Sequence, residues 1–148
     1  MAVPRFRRAV EKVARSIIEP LGFEFYVQNE PGLGGAYEFL RPWKRGWMEG
    51  IALYTVPRSK AFVVELGVVR LGGFLMASPF DTMGPWREFG LRERLSRLVK
   101  DWPWGTGGLI PYHDQSSLDE AMRVAIEQAL LQGPALWGRL GKRLLESG

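Results

Sequence analysis

The chain has 148 residues, of which 46% are apolar and 24% are charged, a composition typical of one soluble globular domain spanning residues 1–148. Its net charge of +4 is modest, and it has no cysteine, which excludes disulfides, thiol nucleophiles and thiolate metal sites. No apolar run reaches the roughly 18 residues that a membrane span requires, and the N-terminus has no signal-peptide pattern, so we expect a cytoplasmic protein without membrane contact.

The first predicted element is an amphipathic helix that ends at Pro20 and Gly22. A short strand is expected over 23–28. Asn29–Gly35 has the glycine and proline content of a turn, and Ala36–Leu40 alternates weakly, as a second strand would.

Two apolar runs, Trp47–Val56 and Ala61–Arg70, flank the polar turn Pro57–Lys60 and predict a β-hairpin. If Val56 faces Ala61, the register of the whole hairpin follows, and side chains alternate between two faces. One face is apolar and should form the core. At its far end Trp47, Glu49 and Arg70 lie close together, which predicts a structural ion pair with aromatic stacking.

The other face of the hairpin places Gly50 opposite Gly67 and Ala52 opposite Glu65, with Tyr54 diagonal to Glu65. Glycines in the middle of strands indicate a close approach by another backbone or by a ligand. A helix packed in this groove is the structural interpretation. The functional interpretation is a small concave site with Glu65 and Tyr54 as its polar groups.

The second half of the chain is expected to be mainly helical. Leu71–Pro85 is irregular, with one short strand near Phe74–Ala77, and Trp86–Lys100 has helical spacing. Trp104–Asp114 is expected to be a loop. A helix capped by Ser117 and Glu120 should end at Gly133-Pro134, before a last helix over 135–146. This order predicts an α+β fold: an antiparallel β-meander sheet of four to five strands covered by N-terminal and C-terminal helices.

Three other features of the sequence are candidate sites. His113 precedes Asp114, a pair that can serve as acid and base, although both residues also suit the start of a helix. Trp102 and Trp104 are candidate partner-binding anchors, or they seal a small core. Trp43–Trp47, with Arg41 nearby, interleaves cations and aromatic rings, but the other basic turn, Arg58–Lys60, should lie about 30 Å away at standard strand rise.

A helix ending in Pro20-Leu21-Gly22-Phe23, the strand Phe62–Val68 and the pair Trp86-Arg87 form a recognisable pattern. It resembles an uncharacterised bacterial family catalogued as domain of unknown function four-three-zero-four, over most of the chain. The matching strand of that family is similar to Phe-x-Val-Asn-Leu-Gly, and Glu65 stands in the polar position here. The resemblance implies the fold and a bacterial source, and it implies no reaction, cofactor or catalytic residue.

These features predict a non-enzymatic binding or protein-interaction module, whose partner is another protein or a second copy of the chain. The candidate binding residues are Glu65, Tyr54, Gly50, Gly67, Trp102 and Trp104. One alternative is a small hydrolase or transferase with its site near Glu65/Tyr54 or His113/Asp114. The other is a weak nucleic-acid binder acting through Arg41–Trp47, and the separation of the two basic turns argues against nucleic acid as the partner. No cofactor, metal or catalytic residue is assigned.

Overall fold

The computed structural model of the protein describes residues 5–28, 36–43, 46–56, 58–71, 87–100, 102–104 and 108–147. Helices in this part of the chain are α1 (Phe6–Ala9), α2 (Arg15–Ile18) and α3 (Gln115–Ser147). The strands are β1 (Glu24–Gln28), β2 (Ala36–Pro42), β3 (Trp47–Thr55), β4 (Ala61–Leu71), β5 (Arg87–Arg94) and β6 (Ile110–Pro111). A π-helical turn, Val10–Ala14, joins α1 to α2, a 3-10 turn, Glu19–Leu21, follows α2, and a second 3-10 turn, Leu95–Arg97, follows β5.

The strands form one antiparallel sheet in the order β1-β2-β3-β4-β5, and the two-residue strand β6 pairs with the start of β4. Each of the first five strands therefore lies beside its neighbour in the chain, which is a meander. The predicted α+β fold, with an antiparallel meander and helices at both ends of the chain, is confirmed.

The register predicted for the hairpin is also confirmed. Pairing runs from Trp47 opposite Arg70 to Thr55 opposite Phe62, and the Val56 amide donates to the Ala61 carbonyl at 3.1 Å. Arg58, in the connecting turn, has a φ of 61°, a backbone conformation that usually favours glycine or asparagine.

The predicted N-terminal helix is present as the continuous helical segment 6–21, which we call the N-terminal helix. Gly22 ends it with a φ of 94°, which a residue without Cβ adopts at little cost. The ring of Phe6 contacts the rings of Tyr37 and Phe62 at centroid distances of 5.6 and 5.5 Å. This helix therefore packs on the face of the sheet that carries Phe62.

Helix α3 covers the same face. Its apolar side chains join those of the N-terminal helix and of the sheet in one core, in which the fully buried large side chains include Ile18, Phe39, Ile51, Leu53, Phe62, Leu66, Leu118, Met122 and Trp137. Among the described residues, no helix combines the length and the apolar character needed to cross a membrane.

The helix predicted over Trp86–Lys100 is wrong, because β5 pairs with β4 along this stretch. The apolar residues Phe89, Leu91 and Leu95 fit a strand as well as a helix, and a partner strand decides between them. The segment 104–114 is likewise more than a loop, since it contains β6. The short strand expected near Phe74–Ala77 lies outside the described residues.

The break predicted at Gly133-Pro134 is also wrong, because α3 is one helix of 33 residues with Pro134 inside it. Packing compensates for the hydrogen bond that proline cannot donate. Gly133 leaves space for the ring of Trp137 one turn later, since a Cβ on Gly133 would lie 2.7 Å from Cζ3 of that ring. Trp137 is buried and anchors the second half of the helix in the core.

Helix α3 begins two residues before the predicted cap. Asp114 accepts a hydrogen bond from the Ser117 amide at 2.7 Å, and Oγ of Ser117 accepts one from the Asp114 amide at 3.0 Å. The cap is therefore Asp114, in a reciprocal pair with Ser117. Glu120 instead forms an exposed ion pair with Arg123.

Candidate ligand-binding site on the second sheet face

The face of the sheet opposite the helices, called here the second face, carries a shallow depression. Its lining consists of Glu38, Leu40, Gly50, Ile51, Ala52, Glu65, Leu66 and Gly67, and it encloses about 240 Å³ counted out to open solvent. The enclosed part of this space has room for about one water molecule. Three of the predicted site residues, Glu65, Gly50 and Gly67, therefore lie together.

The depression exists because three small residues meet at the centre of the sheet. Gly50 pairs with Gly67, and Ala52 pairs with Glu65. The nearest side chain to Gly50 is Leu40 of the adjacent strand: a Cβ on Gly50 would lie 2.6 Å from Leu40 Cδ2 and 3.3 Å from the Phe39 carbonyl oxygen. The side chain that approaches Gly50 most closely is therefore a leucine of the neighbouring strand, and the described helices pack on the opposite face.

Two carboxylates lie on opposite sides of Ala52. Glu38 on β2 and Glu65 on β4 both pair with Ala52, so their Cα atoms are about 10 Å apart, twice the spacing between strands. Glu38 is only 6% exposed, and Glu65 is half-buried. Both line the depression, which we call the Glu38–Glu65 depression.

Tyr54 and Arg94 complete the polar groups at this site. Arg94 pairs with Glu65 across β4 and β5, and the Tyr54 hydroxyl shares hydrogen bonds with both Glu65 and Arg94. The hydroxyl donates to the carboxylate and accepts from the guanidinium. Burial raises the pKa of Tyr54, the negative charge of Glu65 raises it further, and Arg94 opposes the change. Tyr54 is therefore a neutral donor near pH 7.

Trp102 and Trp104 lie elsewhere. Their rings meet edge to face, with centroids 4.9 Å apart, and both pack against the core on the helix-covered side. Among the described residues, the Trp102 indole N–H is the one buried side-chain polar atom that has no hydrogen-bond partner. The structure does not bring these tryptophans together with Glu65.

In the stretch predicted as a nucleic-acid patch, Arg41, Trp43 and Trp47 make structural contacts, and Lys44 and Arg45 lie outside the described residues. Nε of Arg41 donates to Glu49 at 2.6 Å, and the guanidinium carbon lies 4.4 Å from the centroid of the Phe23 ring. Trp43 lies against Gly141 of α3, and Trp47 is buried. Glu49 does form an ion pair beside aromatic rings, but its cation is Arg41, directly opposite on β2, and the side chain of Arg70 is not described.

The pair His113–Asp114 lies on the surface, with side chains 81% and 60% exposed and 3.5 Å between Nε2 and Oδ2. Hydrogen bonding by the Ser117 amide lowers the pKa of Asp114, as its capping role requires. No described group of three or more histidine, aspartate or glutamate side chains is placed to hold a metal ion.

Sequence reasoning missed Glu38 and Arg94. Glu38 lies between Tyr37 and Phe39, whose side chains are in the core, so alternation predicts that Glu38 points to the opposite face. Its position opposite Ala52, however, depends on the β2–β3 register. Arg94 lies in the stretch that the sequence pattern predicts to be a helix.

Comparison with protein-family models, curated proteins and solved structures finds no match to this chain.

Proposed function

We propose that this protein is a non-enzymatic binding module that receives an arginine or lysine side chain of a partner protein in the Glu38–Glu65 depression. The observation that carries the proposal is the pair of carboxylates on either side of a strand that contributes only Gly50 and Ala52 between them. A guanidinium or ammonium group lying over Ala52 would contact both carboxylates, and such charge-assisted hydrogen bonds are the strong ones.

Glu65 retains capacity for a ligand. A carboxylate accepts about four hydrogen bonds, and the Tyr54 hydroxyl uses one of the positions on Glu65. The same hydroxyl is held by Arg94, so Glu65 is oriented before a ligand arrives. Such preorganisation lowers the entropy that binding costs.

The size of the depression favours the end of a single side chain over a cofactor or a sugar ring. It holds about one water molecule, and Leu40 closes it beside Gly50. Displacing one water and shifting the flexible end of Leu40 makes room for a planar guanidinium. A ligand of drug size needs a pocket of roughly 300 Å³ or more that is largely preformed.

A second candidate function is hydrolysis, favoured by the same two carboxylates. Two acids facing each other across one strand can act as general acid and general base on a bond between them, and Tyr54 would add a donor. The shallow depression does not enclose a substrate. His113 and Asp114 are not part of this candidate, because both are exposed at a helix cap.

The experiment that tests the binding proposal is a titration followed by amide chemical shifts, with N-acetyl-arginine amide and with its neutral isostere N-acetyl-citrulline amide. We expect the arginine compound to shift resonances around Ala52 and Glu65 with a Kd of about 1 mM, and citrulline to have no such effect. Glu65→Gln should weaken binding about tenfold. Glu127→Gln, which removes an exposed carboxylate on α3, is the matched control and should bind like the wild type.

Equal shifts with both compounds, or unchanged affinity in Glu65→Gln, would refute the cation site. The hydrolase alternative is tested with chromogenic glycosides and esters. Turnover that disappears in both Glu38→Gln and Glu65→Gln would establish hydrolysis and overturn the non-enzymatic proposal.

A further inference from the structure

One end of the molecule brings together the start of the N-terminal helix, the β3–β4 turn and the start of α3. The Arg5 amide donates to Oε1 of Gln115 at 2.7 Å, which ties the first helix to the third. The Tyr112 amide donates to the Lys60 carbonyl at 3.0 Å, which ties the turn to the residues just before α3. Cations that are far apart in the sequence therefore meet at this end.

The carboxylates at this end are already engaged. Asp114 caps α3, and Asp119 accepts a hydrogen bond from Gln115 at 2.9 Å and pairs with Lys12 at 3.3 Å. The pKa of Asp114 is lowered mainly by the Ser117 amide, with smaller contributions from His113 and Lys60, which places Lys60 nearby.

The remaining cations at this end are exposed. Arg5, Arg8, Arg58 and Lys60 make no ion pair with any described residue, whereas Arg7, Lys12 and Arg15 on the same helix each pair with an acid. We call these four residues the basic end. Asp119 is matched by Lys12, so the four exposed cations face the single negative charge of Asp114 among the described residues named here. The remaining local positive charge is one that an anionic partner would neutralise.

The turn itself adds a second observation. Arg58 adopts a φ of 61°, where glycine or asparagine would cost less. A residue held in a disfavoured conformation, with its charged side chain in solvent, suggests that the charge matters more than the strain.

We propose that the basic end binds the phosphate backbone of a nucleic acid. Arginine and lysine are the principal phosphate ligands in such complexes. An anionic membrane would attract the same cations, but interfacial binding also requires large inserted apolar side chains, and the turn Arg58–Lys60 itself exposes arginine, serine and lysine.

The sequence argument against nucleic acid compared only the two basic turns and found them too far apart. The turn Arg58–Lys60 instead lies at the same end as the start of the N-terminal helix, since the Phe6 ring contacts the Phe62 ring at 5.5 Å, and the sequence pattern does not place that helix. The basic end is also separate from the Glu38–Glu65 depression, so either proposal can fail without the other.

The test is fluorescence anisotropy of a labelled single-stranded 20-mer at 50 to 200 mM NaCl, with the full chain. Four phosphate contacts predict a log–log salt slope of about −3, hence affinity about 50-fold lower at the higher salt. The double variant Arg58→Asn, Lys60→Gln should reduce the slope by about 1.4, since each contact contributes about 0.7. Asparagine suits the positive φ, so this variant should melt no lower than the wild type.

The matched control is Arg139→Gln, Arg143→Gln, which changes the net charge equally. Both arginines are exposed, lie roughly 36 and 42 Å along α3 from Gln115 and make no ion pair with a described residue. The control should keep the wild-type slope. No binding at 50 mM NaCl, equal losses in both variants, or binding confined to vesicles of anionic lipid would each overturn the proposal.

Discussion

The two faces of the β3–β4 hairpin share one backbone but differ in side-chain size and polarity. On the helix-covered face, the side chains of Ile51, Leu53 and Leu66 are buried in the core shared with the helices. On the second face, Gly50 and Gly67 lie opposite each other and leave a depression. Because consecutive residues of a strand point to opposite faces, the chain builds a packed core and a binding surface from the same strands.

Each face also carries a glutamate, and the two differ in what holds them. Glu49, on the core face, is 8% exposed, and its partner Arg41 also donates to the Leu21 carbonyl at 3.0 Å and stacks on Phe23. Glu65, on the second face, is half-buried and lines the Glu38–Glu65 depression. The comparison teaches that a carboxylate paired under aromatic rings stabilises the fold, while one at a rim can also accept a ligand.

The same substitution at both glutamates tests this difference and should have the largest effect. Glu49→Gln is expected to lower the free energy of unfolding by about 2 kcal/mol, because it leaves the partly buried Arg41 without its counter-charge. Glu65→Gln should cost less than about 1 kcal/mol, since the amide still accepts from Tyr54. Urea denaturation followed by tryptophan fluorescence measures both. Equal costs would mean that Glu65 is as structural as Glu49.

Replacing one of two glycines by alanine should change the free energy of unfolding by a smaller amount, and it tests the close packing on the second face. Gly50→Ala should lower the free energy of unfolding by about 1 to 2 kcal/mol, because Leu40 must move and the Phe39 carbonyl lies 3.3 Å from the new Cβ. Gly138→Ala, on an open position of α3, should raise it by about 0.8 kcal/mol through helix propensity. Urea denaturation of both variants measures the difference.

If Gly50→Ala were as stable as the wild type, Leu40 would have moved at no cost, and the close packing inferred at Gly50 would be refuted. The arginine-amide titration separates the two roles of this position. A destabilised but folded Gly50→Ala should bind more weakly, because the new methyl group occupies part of the depression.

Local patterns predict much of this fold. Alternation in 47–56 and 61–70 is sufficient to assign the register and both faces of the hairpin, because a one-residue slip would bury Tyr54 and expose Ile51. Glu65 and Tyr54 follow directly from that register. The N-terminal helix follows from its apolar spacing and from Gly22.

The errors come from contacts between distant segments. Nothing local distinguishes the strand Arg87–Arg94 from a helix, since pairing with β4 decides it. Pro134 does not break α3, because Trp137 holds the helix on the sheet through the core and through a hydrogen bond to the Gly50 carbonyl at 3.2 Å. Glu38 joins Glu65 only through the pairing of both strands with β3, which no short pattern encodes.

The smallest expected effect is a change in how stability depends on pH when Tyr54, on the second face, is replaced. Burial and Glu65 raise the pKa of Tyr54, so the folded state keeps the phenolic proton to higher pH than the unfolded chain does. As the pH rises through about 10, the unfolded chain loses its proton first, and the stability linked to Tyr54 is lost. Tyr54→Phe should therefore lose less stability than the wild type between about pH 9 and 11. Tyr37 and Tyr112, whose pKa values burial also raises, keep part of the dependence in the variant. Urea midpoints across this range measure the difference, and parallel curves would show that folding does not raise the pKa of Tyr54.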